Sequence, residues 1–358
     1  MRVLVTDANG LLGSHLVRQL ENDGHEVRAL VRRGADVRPL AGLDCERVQG
    51  DVRDLAAMRQ AVAGCELVFH TTAVEATWGG EVEDVMSTAT AGVKNVITAA
   101  RAAGVRRVVL TSSAAVVGGN DEPTPLDEDA RPPGAAGPAH FVSKARQEEA
   151  ALAEAHALGQ DLVLANPSVF IGPYDFRPSA SLGTVTSYIR DPLHLTYPGG
   201  INLTHAADVA RGHILLAERA QSRQRYILGA ENCQWTTLHR TLAELLGLPP
   251  PRLRVGRHGV AAGAALMELA ARLAQRPPPI MRELAGQVGR YFWYRHDKAA
   301  RLGFHARPAR DTLVETLAWL LDSPHLGERA RRRLRPTSEV LDARDALRLL
   351  ARARQRTE

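Results

Sequence analysis

The chain has 358 residues, of which 45% are hydrophobic and 24% charged, and this is enough to bury a large core. It has no run of about 18 uncharged apolar residues, no signal-peptide layout at its start, and three separated cysteines that form neither a disulfide framework nor a metal motif. The net charge of +5 comes mostly from scattered arginines and the segment GERARRRLRP. We therefore expect a globular, cytoplasmic protein with no metal site, no membrane span and no nucleic-acid partner.

The first 166 residues alternate β-branched runs with amphipathic stretches. Strands are predicted at RVLVT, EVRALV, CERVQG, ELVFH, VRRVVLTSS and DLVLANPS, and helices at LLGSHLVRQLEND, LAAMRQAVAG and VKNVITAARAAG. This alternation is typical of a doubly wound parallel sheet, the Rossmann α/β architecture. We predict a dinucleotide-binding domain over 1–166 with a return segment over 203–230, because ligands of such sheets bind at the carboxyl ends of the strands.

The rest of the chain is predicted to be mostly helical. A long loop is expected between Val117 and Pro138, and irregular structure after Asn166. Helices are then predicted at GGINLTHAADVARGHILLAE, LHRTLAELLG, GVAAGAALMELAARLAQR, IMRELAGQVGRYFWY and DTLVETLAWLLD, with one strand at RYILG. We assign 167–202 and 231–325 to a smaller substrate-binding part. A basic helical tail covers 326–358, and its segment 336–355 is predicted to be an amphipathic helix packed on the body.

The turn after the first strand, TDANGLLGSH, predicts a cofactor site. Gly10 and Gly13 allow close backbone approach and tight helix packing, and the helix N-terminus offers free N–H groups to a diphosphate. Asp7 occupies the position where such turns usually have their first glycine. Since Asp tolerates turn conformations, we expect weakened rather than lost binding. The alternative is that the glycines serve helix packing in a protein without a nucleotide.

The second strand ends in LVRR, where an NAD site would carry an acidic residue. Arg32 and Arg33 instead fit a 2′-phosphate, so we predict NADPH/NADP as the cofactor, unless both are merely solvated arginines. His70 is interpreted as a structural histidine. The full set of predicted cofactor contacts is Asp7, Asn9, Gly10, Leu11, Leu12, Arg32, Arg33, Asp51, Val52, Thr71, Thr72, Ala73, Thr111, Ser112, Lys144, Pro167, Ser168 and Val169.

The string HFVSK places His140 four residues before Lys144, so both side chains are expected on one face of a helix. Of the 45 basic residues, only Lys94, Lys144 and Lys298 are lysines. A lysine in such an arginine-rich chain indicates a specific need, and a compact ammonium suits a ribose hydroxyl better than a guanidinium does.

These segments, together with VQGDVRD, ANPSVFIGP and RYILGAEN, resemble the extended short-chain dehydrogenase/reductase superfamily in its epimerase/dehydratase branch, near the dihydroflavonol-reductase-like proteins and the hopanoid-associated epimerases. The resemblance implies that Ser113 holds the substrate oxygen and that Lys144 binds the nicotinamide ribose. It also places His140 where the family has its catalytic tyrosine. Two further departures are Asp7 for glycine and the lack of an Asn near Ala89 or Thr90.

The missing tyrosine decides between the family's activities. Epimerases and dehydratases need a base that removes a proton from an alcohol, so the loss should impair them. A ketone reductase needs only a proton for the product alkoxide, and His140, water or a phenol of the substrate are the alternative donors. The chain is also similar to atypical reductases that tailor angucyclinone-type antibiotics, which implies a lipophilic, aromatic polyketide-like ketone as substrate.

Other interpretations stay open. These are reduction of a flavonoid-like or steroid-like ketone with His140 as general acid, a nucleotide-sugar or isoprenoid-linked epimerase, and a non-catalytic NADP(H) sensor. The run VAAGAALMELAARL and the aromatic residues Tyr291, Phe292, Trp293 and Tyr294 fit either a pocket lining or plain core. A homodimer is common in the superfamily, although no segment of the sequence requires one.

Overall fold

A computed structural model describes residues 1–72, 82–130, 138–274 and 286–355. The strands are β1 (Arg2–Thr6), β2 (Glu26–Val31), β3 (Cys45–Gln49), β4 (Leu67–His70), β5 (Arg107–Thr111), β6 (Leu162–Pro167), β7 (Val169–Ile171), β8 (Leu195–Thr196), β9 (Gly200–His205), β10 (Arg225–Leu228), β11 (Glu231–Gln234), β12 (Leu253–Arg254) and β13 (Tyr291–Phe292). The helices are α1 (Leu11–Asn22), α2 (Leu55–Val62), α3 (Val82–Ala102), α4 (Ala139–Leu158), α5 (Ala180–Arg190), α6 (Ala206–Arg219), α7 (Trp235–Leu246), α8 (Arg257–Ala274), α9 (Asp297–Ala300), α10 (Ala309–Asp322), α11 (Glu328–Arg331) and α12 (Ser338–Gln355).

The central sheet has seven strands in the order β10-β6-β5-β4-β1-β2-β3, and every neighbouring pair is parallel. The predicted strands of the first 166 residues and the strand RYILG all lie in it, so the predicted fold class is confirmed. The chain leaves β1 toward β2 and β3 on one side and continues to β4, β5 and β6 on the other. The strand order therefore reverses between β1 and β4. Ligands of such sheets bind in the crevice at this point, beyond the carboxyl ends of these two strands.

Helices cover both faces of the sheet, as its apolar strands require. On one face, α1 and α6 pack against β1 and β2 through side chains such as Leu16 and Ile214. On the other face, α2, α3 and α4 bury Met58, Ile97 and Ala151 against β4, β5 and β6. The central sheet is therefore a rigid support for the loops at its carboxyl edge.

A second, smaller sheet corrects two helix predictions. Residues 200–205 form β9, which pairs with β11 on one edge and with β7 and β13 on the other. The apolar residues Ile201 and Leu203 alternate with polar ones, which is a strand period, and the helix begins only at Ala206. The start of the predicted return segment thus lies in the second sheet, whereas β10 joins the central one.

The predicted helix IMRELAGQVGRYFWY is also wrong where it is described. Residues 286–289 form a turn, and Tyr291–Phe292 is strand β13, which pairs with Gly200 and Ile201. Aromatic residues favour strands when a neighbouring edge is available. Residues 275–285 lie outside the described part of the chain.

The C-terminal helix over 338–355 packs on the body as predicted. Val340 is buried with α7 and α10 in the second apolar core, and Arg348 pairs with Asp322 of α10 at 2.6 Å. Among the described residues, no helix combines the length and apolarity needed to cross a bilayer. Within the same ranges, no group of His, Cys, Asp and Glu side chains is arranged to hold a metal ion.

Candidate functional site

The turn between β1 and α1 has the backbone of a dinucleotide-binding turn. Asp7 adopts a φ of 50°, the left-handed region in which glycine is favoured and Asp tolerated. A Cβ on Gly13 would lie 2.3 Å from the Asp7 carbonyl oxygen, so only glycine allows this packing. The first turn of α1 has no side-chain cap and no acidic residue, and the N–H groups of a first turn, here including those of Leu11 and Leu12, have no partner within the helix and suit an anion.

The carboxylate of Asp7 is paired across this turn. Arg177, in the loop between β7 and α5, places its Nη2 3.2 Å from Asp7 Oδ2. The sequence indicated that Asp7 would be an unfavourable neighbour for a diphosphate, but it gave no sign of a compensating cation. Residue 177 is far away in the chain and only the fold brings it here.

Two unpaired arginines follow β2. Arg32 and Arg33 are exposed, and their guanidinium groups have no hydrogen bond or ion pair within the described ranges. Nearby, Asn9 Nδ2 donates to the Asp36 carbonyl at 2.9 Å and holds the loop beside the turn. After β3, Asp51 is bound by Arg53 at 2.7 Å, and this hydrogen bond lowers the pKa of the carboxyl.

A hydroxyl network closes the end of β4. Thr6 Oγ1 lies 2.9 Å from His70 Nδ1 and 3.0 Å from Thr72 Oγ1, and the Thr71 N–H donates to the same oxygen at 3.2 Å. Burial lowers the pKa of His70 to about 3, so the ring is neutral. These contacts support a structural role for His70. Ala73 lies outside the described residues.

Lys144 projects from α4 toward the end of β5. Its Nζ donates to the Thr111 carbonyl and to Gln147 Oε1, each at 3.0 Å, and the side chain is buried. Burial lowers the pKa of Lys144 to about 8, against the attraction of the Glu148 and Asp7 carboxylates. An ammonium has three N–H donors, and within the described ranges two have partners. The third is available to a ligand.

Ser113 follows β5 directly and caps a short 3-10 helix, Ala114–Val117. Its Oγ accepts a hydrogen bond from the Ala115 N–H at 3.2 Å, which fixes the oxygen and leaves the hydroxyl proton free to be donated. Ser113 and the Lys144 ammonium thus both lie at the carboxyl end of β5.

A buried carboxylate supports this pair, and the sequence analysis missed it. Glu148 is fully buried, accepts from Asn166 Nδ2 at 2.6 Å and pairs with Arg225 at 2.6 Å. Asn166 Nδ2 also donates to the Ser113 carbonyl at 3.1 Å. The signal was present in the sequence, since Glu148 is the next step of four on the helix face that carries His140 and Lys144.

His140 occupies the first turn of α4 and is an exposed residue. The surrounding protein and then the Lys144 ammonium lower the pKa of this imidazole to about 4. The ring is neutral at pH 7, and a neutral imidazole is a poor proton donor.

We therefore expect His140→Phe to keep its kcat/KM for carbonyl reduction within about threefold of wild type, because no imidazolium is present to act as general acid. His156→Phe, at the exposed far end of the same helix, is the matched control. Steady-state kinetics at pH 7 measures both. A loss of about 100-fold in kcat/KM that is confined to His140→Phe would identify His140 as the general acid.

The crevice offers further unsatisfied groups where a cofactor would lie. The hydroxyls of Ser112, after β5, and Ser168, between Pro167 of β6 and Val169 of β7, are buried and have no hydrogen-bond partner among the residues that the structure describes. Buried polar atoms of this kind are normally satisfied. Together with the uncapped helix, the third N–H of Lys144 and the unpaired Arg32, they fit a bound nicotinamide dinucleotide.

An apolar wall borders the loop that follows Ser113. Phe292 packs edge-on against Phe141 with ring centroids 5.6 Å apart, and Tyr294 Oη donates to the Gly118 carbonyl at 2.9 Å. The aromatic segment thus borders the loop after Ser113, although as a strand and not as a helix. In contrast, the described side chains Ala261, Ala262 and Met267 of α8 are exposed.

A sequence model of the NAD dependent epimerase/dehydratase family matches residues 3–229, well over half of the chain. The chain belongs to this family. The match runs from β1 to just past β10, so the whole central sheet is part of the family fold. The resemblance inferred from the motifs is confirmed, and with it membership among NAD(P)-dependent oxidoreductases, epimerases and dehydratases.

Individual members extend the likeness beyond residue 229. The chain is 35% identical over 255 residues to "Sterol demethylase protein B" of Methylococcus capsulatus, which covers 71% of this chain and 77% of that protein. It is 29% identical over 328 residues, 88% of this chain and 96% of the other, to the 4-hydroxy-2-methyl-3-oxo-4-farnesyl-3,4-dihydroquinoline-1-oxide ketoreductase of Stigmatella aurantiaca. The crystal structure of gox2253 shares 31% identity and a TM-score of 0.77, over 89% of this chain and 98% of that one.

Proposed function

We propose that this family member is an NADPH-dependent ketoreductase that reduces a carbonyl of a lipophilic, aromatic polyketide-like substrate, with the proton supplied by water or by the substrate. The observation that carries the proposal is the site itself. Ser113 and the Lys144 ammonium both lie at the end of β5, while the side chain at the tyrosine position is a neutral imidazole.

The cofactor site supports the first half of this proposal. Arg32 and Arg33 would meet the 2′-phosphate, the N–H groups of α1 the diphosphate, and the Lys144 ammonium the nicotinamide ribose. When bound, NADPH supplies a hydride to the carbonyl carbon.

The protein's own groups then act on the carbonyl oxygen. The Ser113 hydroxyl donates a hydrogen bond to it, and the nearby Lys144 charge stabilises the negative charge that develops in the transition state. Epimerisation and dehydration demand a base that removes an alcohol proton. An imidazole whose pKa is about 4 is a weak base, so the site favours reduction.

The apolar wall supports the substrate class. Phe141 and Phe292 pack against each other where Phe292 meets Gly119, in the loop after Ser113, and Val116 and Val117 are buried in the apolar cluster on which Phe292 packs. The ketoreductase relative is named for a farnesylated dihydroquinoline ketone, which is a flat aromatic system with an apolar chain. A sugar would find few polar partners on this wall.

The direct experiment follows NADPH oxidation with purified protein against polycyclic aromatic ketones, flavonoid and steroid ketones, and UDP-sugars. Consumption of NADPH with an aromatic ketone supports the proposal. Interconversion of a UDP-sugar with NAD would establish the epimerase alternative. Tight NADPH binding without turnover of any of these compounds would favour the sensor.

The cofactor preference rests on Arg32. We expect Arg32→Ala to reduce the preference for NADPH over NADH by about tenfold or more, because one charged hydrogen bond to the 2′-phosphate is lost. Arg38→Ala is the matched control, since Arg38 is already paired with Asp36 at 2.6 Å. Dissociation constants of both reduced cofactors measure the effect. An unaltered ratio in Arg32→Ala would rule out the contact.

A further inference from the structure

Asp7 presents an unusual charge to the place where a diphosphate would bind. Its carboxylate lies so close to the start of α1 that a Cβ on Gly10 would stand 2.7 Å from Asp7 Oδ2. The helix N-terminus attracts anions, but the carboxylate occupies the same positive end and repels a second anion. A diphosphate therefore needs a further cation beside Asp7.

Arg177 is that cation. Its Nη2 lies 3.2 Å and 3.5 Å from the two Asp7 oxygens, and it makes no other hydrogen bond within the described ranges. A guanidinium has five N–H donors, so most of them stay available. The side chain is 52% exposed, and an incoming ligand can therefore reach it.

The loop that carries Arg177 is held firmly in place. His15 of α1 contacts the Pro173 carbonyl at 3.0 Å, and the Arg18 guanidinium stacks 3.9 Å from the Tyr174 ring centre. Asp175 accepts from the Ser179 hydroxyl at 2.7 Å. Because these anchors come from α1 and from the loop itself, the loop is held next to the turn before any ligand arrives, and the ion pair with Asp7 keeps the Arg177 guanidinium there.

We propose that Arg177 is a cofactor-binding residue that offsets the charge of Asp7 and donates to the diphosphate of the dinucleotide. The proposal rests on the proposed function, because it requires that a dinucleotide binds at this turn. Asp7 and Arg177 together replace the neutral glycine of ordinary turns by a balanced ion pair.

The test measures the NADPH dissociation constant by cofactor fluorescence for wild type, Arg177→Ala, Asp7→Asn and the double variant. Asp7→Asn keeps the shape and the left-handed backbone but removes the charge. We expect Arg177→Ala to bind about tenfold more weakly, Asp7→Asn about tenfold more tightly, and the double variant within about threefold of wild type. Arg177→Lys, which keeps the charge, should stay near wild type.

A pair that merely fixes the loop gives a different pattern. Both single variants would then shift affinity in the same direction, or not at all, and either result overturns the proposal. As a ligand control, 2′-AMP lacks the diphosphate, and its affinity should be equal in all variants. Thermal unfolding confirms that each variant is folded, and Arg177→Gln replaces Arg177→Ala if that protein is not. If neither wild type nor Asp7→Asn binds NADPH or NADH, the proposed function itself fails, and this inference with it.

Discussion

Replacing Lys144 by methionine is expected to lower kcat/KM for ketone reduction by about 100-fold or more. Methionine fills a similar volume but supplies neither the N–H for a ribose hydroxyl nor the positive charge near the carbonyl oxygen. The ammonium donates hydrogen bonds to the Thr111 carbonyl and to Gln147. Because this position is buried, we expect no cation from solvent to take its place. Steady-state kinetics with NADPH, together with the NADPH dissociation constant, measures the loss.

Lys94→Met is the matched control, because Lys94 is exposed on α3 and the substitution should leave both quantities unchanged.

The dependence of kcat/KM on pH tests the role of the Lys144 ammonium independently. With a pKa of about 8, Lys144 loses its proton as the pH rises through that value, and kcat/KM should fall above it. The unfolded chain holds the proton to higher pH, so this group makes folding more favourable as the pH rises above about 8. Full activity of Lys144→Met would show that Lys144 has no role in cofactor binding or catalysis.

Glu148→Ala is expected to lower the free energy of unfolding by about 3 kcal/mol, because it leaves the partly buried Arg225 without its counter-charge. Glu148 is fully buried and joins Arg225 to Asn166. Its carboxylate also raises the pKa of Lys144, so the alkaline fall in kcat/KM should move to lower pH in this variant. Urea denaturation and a pH profile give the two measurements.

Glu149→Ala is the matched control for this change, since Glu149 is the adjacent residue of the same helix and is exposed. It should leave stability within about 0.5 kcal/mol of wild type. Equal stabilities of the two variants would show that the Glu148 network does not hold the end of β6 against α4.

Local patterns in the sequence were sufficient for the central sheet and much of the site. Each strand of the first 166 residues is a short β-branched run, and its neighbours are fixed by the right-handed crossovers between them. Gly10, Gly13, Ser113 and Lys144 follow directly from motif positions beside those strands, and the fold brings them to one edge.

The remaining features depend on partners that are distant in the chain. Tyr291–Phe292 becomes a strand because β9 offers it a free edge, and no local pattern contains that edge. Arg177 reaches Asp7 across 170 residues, and the helix position of Glu148 is visible in the sequence whereas its partners Arg225 and Asn166 are not. A sequence pattern shows which residue types are present, but charge compensation appears only after folding.

Transfer of the hydride from NADPH to the ketone can be measured directly with deuterium. Wild type and His140→Phe are incubated with NADPH carrying deuterium at the transferred position and with an aromatic polyketide-like ketone, and the product alcohol is analysed by mass spectrometry. We predict one deuterium on the carbinol carbon with both proteins, at rates within about threefold of each other. Absence of deuterium from the product, or its appearance with wild type alone, would contradict this prediction.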